Sequence, residues 1–272
     1  MDKYRVRPGK KVNLARVNPE DISEFKSIKG VKDKAAAEKQ LQKLRLKLEQ
    51  LQEVLYAEHK HKLLIVFQAM DTGGKDGVIK DVFEGVNPAG VQVVSFKVPT
   101  PEELDHDYLW RIHPHMPGKG DVVVFNRSHY EDVLVVRVHN YVSEAVWSKR
   151  YEQIANFEKH LTEEGTTILK FYLHINLDEQ KKRLEARLAD PTKHWKFRIG
   201  DLAERKLWPQ YMAAYQDAIN KTSTEAAPWY VVPANKKWYR NLVVASVLVK
   251  TLENLKMSYP ESKEDLSKVT IE

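Results

Sequence analysis

The sequence of 272 residues contains no cysteine and no apolar run long enough to cross a membrane. Without cysteine there are no disulfides, no thiolate nucleophile and no zinc site built on thiolates, and this composition fits a reducing compartment. Residues 1–11 are strongly charged and precede no apolar run, so they lack the pattern of a secretory signal. Apolar stretches such as residues 63–67 are far shorter than the roughly 20 residues of a membrane helix. We therefore expect a cytoplasmic protein without a membrane partner.

Acidic residues are in the minority, because 38 Asp and Glu stand against 44 Lys and Arg, and the net charge is +6. A positive charge favours encounters with anions, and nucleic acid, polyphosphate and nucleotides are the candidates. A basic surface that only keeps the protein soluble explains the charge equally well. The hydrophobic share of 42% and the charged share of 30% are typical of a folded globular protein. The length suits one large domain over residues 1–272.

The order of the apolar segments predicts an α/β fold. Residues 1–30 are polar and rich in turn signals, which predicts an irregular arm packed on the domain. Residues 33–59 lack Gly and Pro and carry leucines at spacings of three and four, which predicts a long helix docked on the sheet. A seam for a partner helix is the alternative interpretation of this leucine stripe. Residues 260–272 are expected to form a polar tail.

Five short apolar segments alternate with helical segments and are predicted to be buried strands. They lie at residues 62–68, 91–98, 121–125, 166–175 and 229–232. Strands that alternate with helices in this way predict a three-layer sandwich, in which helices cover both faces of a mostly parallel sheet. The helix after the first strand is expected over residues 77–83.

A glycine-rich turn follows the first predicted strand. Its sequence, A-M-D-T-G-G-K-D at residues 69–76, nearly matches the phosphate-binding P-loop pattern G-x-x-x-x-G-K-[ST]. In such a loop, backbone N–H groups and the helix N-terminus converge on phosphate oxygens. Glycines let the backbone approach the anion, and the lysine neutralises the transferred group. The alternative is an ordinary Gly-rich turn with a solvated lysine. The candidate phosphate-binding residues here are Thr72, Gly73, Gly74, Lys75 and Gly77.

Two carboxylates depart from the usual P-loop pattern. Asp71 lies within the loop, and Asp76 replaces the Ser or Thr that normally binds the metal. A carboxylate would repel a bare phosphate, so Asp71 favours a Mg²⁺ ion between itself and the phosphates, with Asp76 supporting the same ion. We therefore take Asp71, Lys75 and Asp76 as catalytic candidates and Mg²⁺ as the cofactor, with Mn²⁺ as the alternative ion.

A second polar motif, N-R-S-H-Y-E-D, begins at Asn126 directly after the third predicted strand. Open α/β sheets bind ligands at the carboxyl ends of their strands, and P-loop enzymes place a metal-binding carboxylate there. Asn126 is a weaker ligand, so Glu131 or Asp132 is expected to supply the charge. The planar guanidinium of Arg127 suits phosphate, which makes this residue a further catalytic candidate. His129 is expected to be structural, because an ionised nucleotide phosphate needs no strong base.

A basic and partly aromatic segment lies between two predicted helices. The first helix is expected to begin after Asn176, with the side chain of Glu179 reaching back to that cap. Residues 183–205 are predicted to form a lid that closes over the phosphates and excludes water. A nucleic-acid patch is one alternative, and packing of Trp195 and Phe197 in the core is the other. The candidate phosphate-binding cations of the lid are Lys193, Lys196 and Arg198.

Taken together, these motifs resemble the polyphosphate kinase 2 family, and the similarity covers residues 4–259. Asn87-Pro88 and residues 229–237 are similar to that family as well. The resemblance implies a thymidylate-kinase-like α/β fold, with a P-loop kinase core over residues 62–259 and a helical lid. It also implies Mg²⁺-dependent, reversible transfer of the terminal phosphoryl group of inorganic polyphosphate to nucleotides, by a homo-oligomer that has no nucleic-acid partner.

The resemblance also assigns roles to individual residues. It implies phosphate binding by Lys75 and Arg127, metal ligation by Asp71, and a role as lid cations for Lys193, Lys196 and Arg198. Asn87, in a segment similar to the family, is a nucleotide-binding candidate, and Asn126 and Glu131 of the second motif are the further metal-ligand candidates. Many relatives have Asp in place of Asn126 and Asn-Arg in place of Glu131 and Asp132. The chain is most similar to the subgroup that accepts both nucleoside monophosphates and diphosphates, so ADP and AMP are the expected acceptors, with guanine nucleotides as an extension.

Two other functions fit parts of the pattern. An ATP-dependent nucleoside or nucleotide kinase would share the phosphate loop and the lid, but it would not use long-chain polyphosphate. A nucleic-acid-binding module is favoured by the positive charge alone, and it predicts salt-sensitive binding of DNA or RNA without phosphoryl transfer.

Overall fold

The five apolar segments form one parallel sheet. The computed structural model describes residues 1–24, 33–266 and 269–271. The strands are β1 (Lys62–Gln68), β2 (Val91–Ser95), β3 (Val122–Asn126), β4 (Thr166–His174) and β5 (Trp229–Pro233). In the order β2-β3-β1-β4-β5, every pair of neighbouring strands is parallel. Strand β2 is shorter than predicted because its pairing with β3 ends at Ser95.

Helices connect the strands and cover both faces of the sheet. The α-helices of the described residues are α1 (Lys34–Glu58), α2 (Lys75–Val82), α3 (Pro101–Asp105), α4 (Val135–Val138), α5 (Glu144–Glu163), α6 (Leu177–Leu188), α7 (Gly200–Lys206), α8 (Trp208–Thr222) and α9 (Lys237–Asn254). Short 3-10 helices lie at Asp2–Tyr4, Leu14–Arg16, His113–His115, His129–Val133 and Pro191–Lys196. No helix in these described ranges is long and apolar enough to cross a membrane.

Two hydrophobic clusters make the fold a three-layer sandwich. Because side chains of a strand alternate between faces, Leu63 and Ile65 of β1 join the cluster formed with α1, α2 and α9. Leu64 and Val66 join the cluster on the other face, which α5 and α8 cover. A strand that is buried on both faces needs apolar residues at every position, and this explains the continuous apolar run of β1. The predicted α/β sandwich is confirmed.

The long helix α1 docks on this sandwich. It begins after Asp33, whose carboxylate accepts a hydrogen bond from the backbone N–H of Ala36, and it ends at His59 in the left-handed conformation. Leu41, Leu48 and Leu55 are buried against the chain's own core. The docking interpretation of the leucine stripe is therefore confirmed.

The N-terminal arm packs along the free edge of β5. The backbone N–H of Val6 donates to the carbonyl of Trp229 at 2.8 Å, and Arg5 forms an antiparallel bridge with Tyr230. The side chains of Tyr4 and Val6 are buried. Residues 1–24 of the predicted arm lie on the domain in this way, and its remainder, 25–30, lies outside the described residues. In the predicted tail, residues 260–266 and 269–271 are exposed.

Candidate active site

The glycine-rich turn places a buried lysine at the start of a helix. Helix α2 begins at Lys75, two residues before the predicted start, and Gly74 precedes it at φ 103°. The ammonium group of Lys75 donates to the carbonyl of Ala69 at 2.9 Å. Thr72 has φ 62°, which is unusual for a β-branched residue, and its hydroxyl is buried without a hydrogen-bond partner in the described part of the chain. Such backbone strain is found at ligand-binding sites.

The glycines of this turn make room for other parts of the protein. A Cβ atom on Gly73 would lie 2.5 Å from the Cβ of Ala69 and 2.8 Å from the carbonyl oxygen of Met70, so the turn can close only with glycine. A Cβ atom on Gly74 would lie 1.9 Å from Nη1 of Arg240. Glycine is therefore required at these positions by contacts within the protein. The predicted reason was a different one, namely that glycine lets the backbone approach an anion. Binding of phosphate by their backbone stays a prediction.

The second motif meets the phosphate loop because β3 is the neighbour of β1. Asn126 donates from its amide to Oδ1 of Asp76 at 2.7 Å. Arg127, at φ 66°, donates from Nη2 to Oδ1 of Asp71 at 3.1 Å, and its Nη1 lies 3.6 Å from Oε2 of Glu131. The structure therefore brings together these predicted residues from two strand ends that are far apart in sequence.

The charges of this cluster perturb one another. Burial, followed by the nearby charge of Arg127, lowers the pKa of Lys75 to about 8, although Asp71 and Glu131 oppose this shift. Glu131 holds the pKa of Arg127 above its usual value. A lysine with a pKa near 8 still carries its charge in most molecules at neutral pH. A phosphate ligand would therefore meet a charged, partly desolvated ammonium group.

The two adjacent carboxylates of the motif point to different partners. Residues 129–133 form a 3-10 helix, whose short turn sends neighbouring side chains in different directions. Glu131 lies beside Arg127 in the cluster. Asp132 instead accepts a hydrogen bond from Nη1 of Arg150 at 2.7 Å, and burial raises its pKa to about 6. Glu131 is therefore the carboxylate that faces the phosphate loop.

His129 lies in the core. Its side chain is completely buried, and its Nε2 lies 3.3 Å from Oε1 of Glu158. The hydroxyl of Tyr130 donates to the same carboxylate at 2.8 Å, and Lys170 bonds to the other carboxylate oxygen. A histidine at this depth cannot contact a substrate, which agrees with the structural role expected for it.

The carboxylates fit a magnesium ion that is held partly by its substrate. Among the residues that the structure describes, no group of three or more His, Cys, Asp or Glu could hold a metal ion alone. Mg²⁺ does not require such a group, because it keeps several waters and is bound through one or two carboxylates together with phosphate oxygens. Asp71 and Glu131 flank Arg127 at the phosphate loop and are of this kind. Asn126 and Asp76 bond to each other beside them.

The predicted lid consists of the end of α6, a 3-10 helix and α7. The side chain of Trp195 is 77% exposed, so its predicted alternative, packing in the core, is wrong. Lys196 lies 4.8 Å from the ring of Trp195, and Arg198 is exposed. Lys193 forms an ion pair with Asp190 at 2.5 Å. Exposed cations and an exposed aromatic ring are compatible with a lid, which stays a prediction.

The structure corrects two expectations about individual side chains. Asn176 caps α6 as predicted, but Glu179 does not reach back to it, because its carboxylate accepts a hydrogen bond from Nε of Arg183 at 2.7 Å. Asn87 lies in the exposed turn that leads into β2, where its side chain accepts from the N–H of Ala89 at 2.9 Å. This turn is at the amino end of the strands, so the structure does not bring Asn87 to the phosphate loop at their carboxyl end.

Two buried arginines behind the loop were not assigned to it from the sequence. Nη1 of Arg183 donates to the carbonyls of Thr72 at 2.9 Å and Gly73 at 3.0 Å, so this residue fastens the loop and does not belong to the free cations of the lid. Arg240 of α9 packs against Gly74. For Arg240 the available signal was a cation between the apolar residues near the start of α9, but such a residue gives no indication of what it contacts.

Comparison with known proteins identifies the family of this chain. A model of the polyphosphate kinase 2 family matches residues 31–260. An AMP/ADP-polyphosphate phosphotransferase of Meiothermus ruber is 57% identical over 272 residues, and the match covers 100% of both chains. An ADP-polyphosphate phosphotransferase of Rhodopseudomonas palustris is 46% identical over 95% of this chain and 92% of its own.

A solved structure extends the similarity to the fold. The crystal structure of polyphosphate kinase 2 from Arthrobacter aurescens TC1 is similar to this chain with a TM-score of 0.91 and 48% sequence identity. The match covers 98% of this chain and 93% of that chain. Both the family match and the full-length relatives agree with the resemblance drawn from the motifs, and the chain belongs to the polyphosphate kinase 2 family.

Proposed function

We propose that this protein transfers the terminal phosphoryl group of inorganic polyphosphate to ADP and to AMP, reversibly and with Mg²⁺. The observation that carries the proposal is the meeting of Asp71, Lys75, Arg127 and Glu131 at the carboxyl ends of β1 and β3. Family membership supports it, and so do the full-length relatives that are named for polyphosphate and adenine nucleotides.

The reaction needs positioning and charge neutralisation more than it needs a base. A phosphate oxygen of the acceptor forms the new P–O bond to the terminal phosphorus of polyphosphate, and the bond to the bridging oxygen breaks. The leaving group is a polyphosphate chain shorter by one unit, which departs as an anion. Because the acceptor is already ionised, no side chain has to remove a proton. This agrees with the second motif, whose histidine, His129, is buried in the core.

Cations of the chain bind and orient the phosphates. Lys75 supplies a partly desolvated charge, which acts more strongly on a phosphoryl group than a solvated lysine would. Arg127 is held from both sides by Asp71 and Glu131, so its fork keeps a fixed direction when the substrate arrives. Backbone N–H groups at the start of α2 add hydrogen-bond donors. The lid cations Lys196 and Arg198 would cover the phosphates from the opposite side.

Asp71 and Glu131 are the residues that would hold Mg²⁺, with Asn126 as a neutral oxygen ligand and Asp76 in support. When bound, Mg²⁺ would supply positive charge that neutralises the phosphates. Mn²⁺, which prefers the same ligands, would be expected to substitute for it. Asp76 also orients Asn126 through their 2.7 Å hydrogen bond.

The remaining parts of the proposal concern partners and location. We place the protein in the cytoplasm as a homo-oligomer, without nucleic-acid or membrane partners. Adenine nucleotides are the main acceptors, and guanine nucleotides are the extension to be tested.

One assay tests the function and its alternatives. The protein is incubated with ADP and long-chain polyphosphate, with and without Mg²⁺, and ATP formation is measured. A parallel series contains AMP and is read for ADP. ATP that appears only with both polyphosphate and Mg²⁺ is the expected result. An ATP-dependent nucleotide kinase would give transfer from ATP but none from polyphosphate, and a nucleic-acid-binding module would give no transfer at all.

A further inference from the structure

Arg240 is a buried cation that pairs with no carboxylate of the described residues. Its side chain is 1% exposed, and it forms no ion pair in the part of the chain that the structure describes. Nε and Nη2 both donate to the amide oxygen of Asn241, at 3.0 and 2.7 Å. The amide of Asn241 in turn donates to Asp81 at 2.7 Å, so the nearest compensating carboxylate is one residue further away. A buried charge is costly unless it is paired, and this arrangement leaves much of the charge uncompensated.

The uncompensated charge lies directly behind the phosphate loop. Nη1 of Arg240 packs where a Cβ atom of Gly74 would be, at 1.9 Å from that position. Gly77, one turn further along α2, would bring a Cβ atom to 3.4 Å from Nη2. The first turn of α2 is therefore glycine-rich on the side that faces this guanidinium, and a larger residue at Gly74 would displace it.

Further cations surround this position. Arg183 contacts the same loop, and its Nη1 would lie 3.6 Å from a Cβ atom on Gly74. Burial, followed by the charge of Arg183, lowers the pKa of Arg240 to about 10, so the residue remains charged at neutral pH. Burial and the same two arginines lower the pKa of Lys237 as well. Their mutual repulsion would decrease when an anion binds at the loop.

We propose that Arg240 is a positioning residue of the phosphate loop, whose fixed buried charge is balanced by the phosphates of the substrate. No atom of Arg240 has to touch the substrate, because a charge acts over several ångströms in a buried site. The inference rests on the proposed function, since it assumes that a phosphate chain occupies the loop. It explains why the fold retains a cation at a buried position where an apolar side chain would give a more stable protein.

The test compares binding of inorganic triphosphate with Mg²⁺ in the wild type and in Arg240→Met, by calorimetry and by the ligand-induced shift of the thermal midpoint. We expect the dissociation constant to increase about tenfold. At a ligand concentration of about 100 times the wild-type dissociation constant, the ligand-induced stabilisation should fall to roughly half. Arg240→Lys, which keeps the charge, should retain most of the wild-type affinity.

A variant that is expected to increase the affinity for triphosphate makes the test independent of how well Arg240→Met folds. Asp81→Asn keeps an acceptor for the amide of Asn241 but removes the nearest compensating charge, so it should bind triphosphate more tightly than the wild type. Arg111→Met is the matched control, because Arg111 is a buried arginine that bonds to Lys97 and Glu103 outside the site. It should lower the midpoint of the free protein and leave the ligand-induced shift unchanged.

The outcomes separate this inference from the proposed function. If the wild type is not stabilised by triphosphate or by long-chain polyphosphate, the proposed function fails. If the wild type is stabilised but Arg240→Met and Asp81→Asn bind with wild-type affinity, the role of Arg240 is refuted. The same conclusion follows if Arg240→Lys loses as much affinity as Arg240→Met, because shape rather than charge would then decide.

Discussion

The buried ion pair between Glu158 and Lys170 should dominate the stability of the region beneath the second motif. Lys170 of β4 bonds to Glu158 of α5, to the hydroxyl of Tyr130 at 3.0 Å and to the carbonyl of Thr222 at 2.8 Å. Both charged side chains are almost completely buried. Burial opposes ionisation of Glu158, but Lys170 and His129 overcome it and hold the pKa of this carboxyl below its usual range.

We expect Lys170→Met to be strongly destabilising and the pair to be strongly coupled. Removing one partner of a buried pair costs about 3–5 kcal/mol, because the other charge stays buried without compensation. His129 and Tyr130 would still contact Glu158, so we expect a cost of about 3 kcal/mol. For a chain of this size, that corresponds to a decrease of about 6–12 °C in the thermal midpoint. The double variant Glu158→Gln/Lys170→Met should cost less than about 2 kcal/mol, because no charge remains.

Urea denaturation at pH 7, followed by circular dichroism, measures the free energies of unfolding for the wild type, both single variants and the double variant. The matched control is Lys159→Met, since Lys159 lies next to Glu158 on α5 but is exposed. It should change the stability by less than about 0.5 kcal/mol. If the double variant loses as much free energy of unfolding as the two single variants together, the two charges do not stabilise each other, and the reasoning is refuted.

The remaining predictions concern the site. Lys75→Met should lower kcat at least about a hundredfold without unfolding the protein, and kcat/KM of the wild type should fall as pH rises through about 8, where Lys75 loses its proton. Lys75→Arg should move this limb to higher pH, and an unmoved limb would assign it to another group. Asp71→Asn should remove activity at ordinary Mg²⁺ concentrations, whereas restoration by excess Mg²⁺ would indicate an outer-sphere role. Lys196→Ala/Arg198→Ala should weaken polyphosphate binding and reduce its salt dependence, and unchanged affinity would remove these residues from the lid function. Glu131→Asn should lower kcat/KM more for AMP than for ADP. AMP is one phosphate shorter than ADP, and the carboxylate of Glu131 can hold a metal ion in the space that the second phosphate of ADP would occupy. Equal losses for both nucleotides would contradict this role.

The sheet was the most predictable part of the fold. A strand covered by helices on both faces needs an apolar residue at every position, and β1 was predicted with its exact bounds for this reason. The start of α2 was predicted two residues late, since Gly74 and Gly77 weaken the helical pattern around Lys75. The leucines of α1 left two interpretations open, and only the packing against α9 decided between them.

The meeting of the candidate site residues was predictable where they directly follow a strand. Asp71, Lys75, Arg127 and Glu131 were named from two motifs, and adjacent parallel strands bring those motifs together. Contacts that depend on side-chain direction were not predictable. Neighbouring carboxylates in a short 3-10 helix cannot be told apart from sequence, and Asn87 was assigned by resemblance to a turn that lies at the other edge of the sheet.

The stability of the core and the geometry of the site are connected through one short segment. Arg127 lies at φ 66°, in a strained region of backbone conformation, and directly precedes Ser128, whose hydroxyl accepts from the N–H of Tyr130 at 3.1 Å. His129 and Tyr130 are anchored by the buried carboxylate of Glu158, and this anchor fixes the backbone between Arg127 and Glu131, whose side chains meet at the phosphate loop. Loosening this anchor would release the strain at Arg127 and let its fork turn away from Asp71. We therefore expect that variants of the buried ion pair which still fold will lose activity beyond what their loss of stability explains.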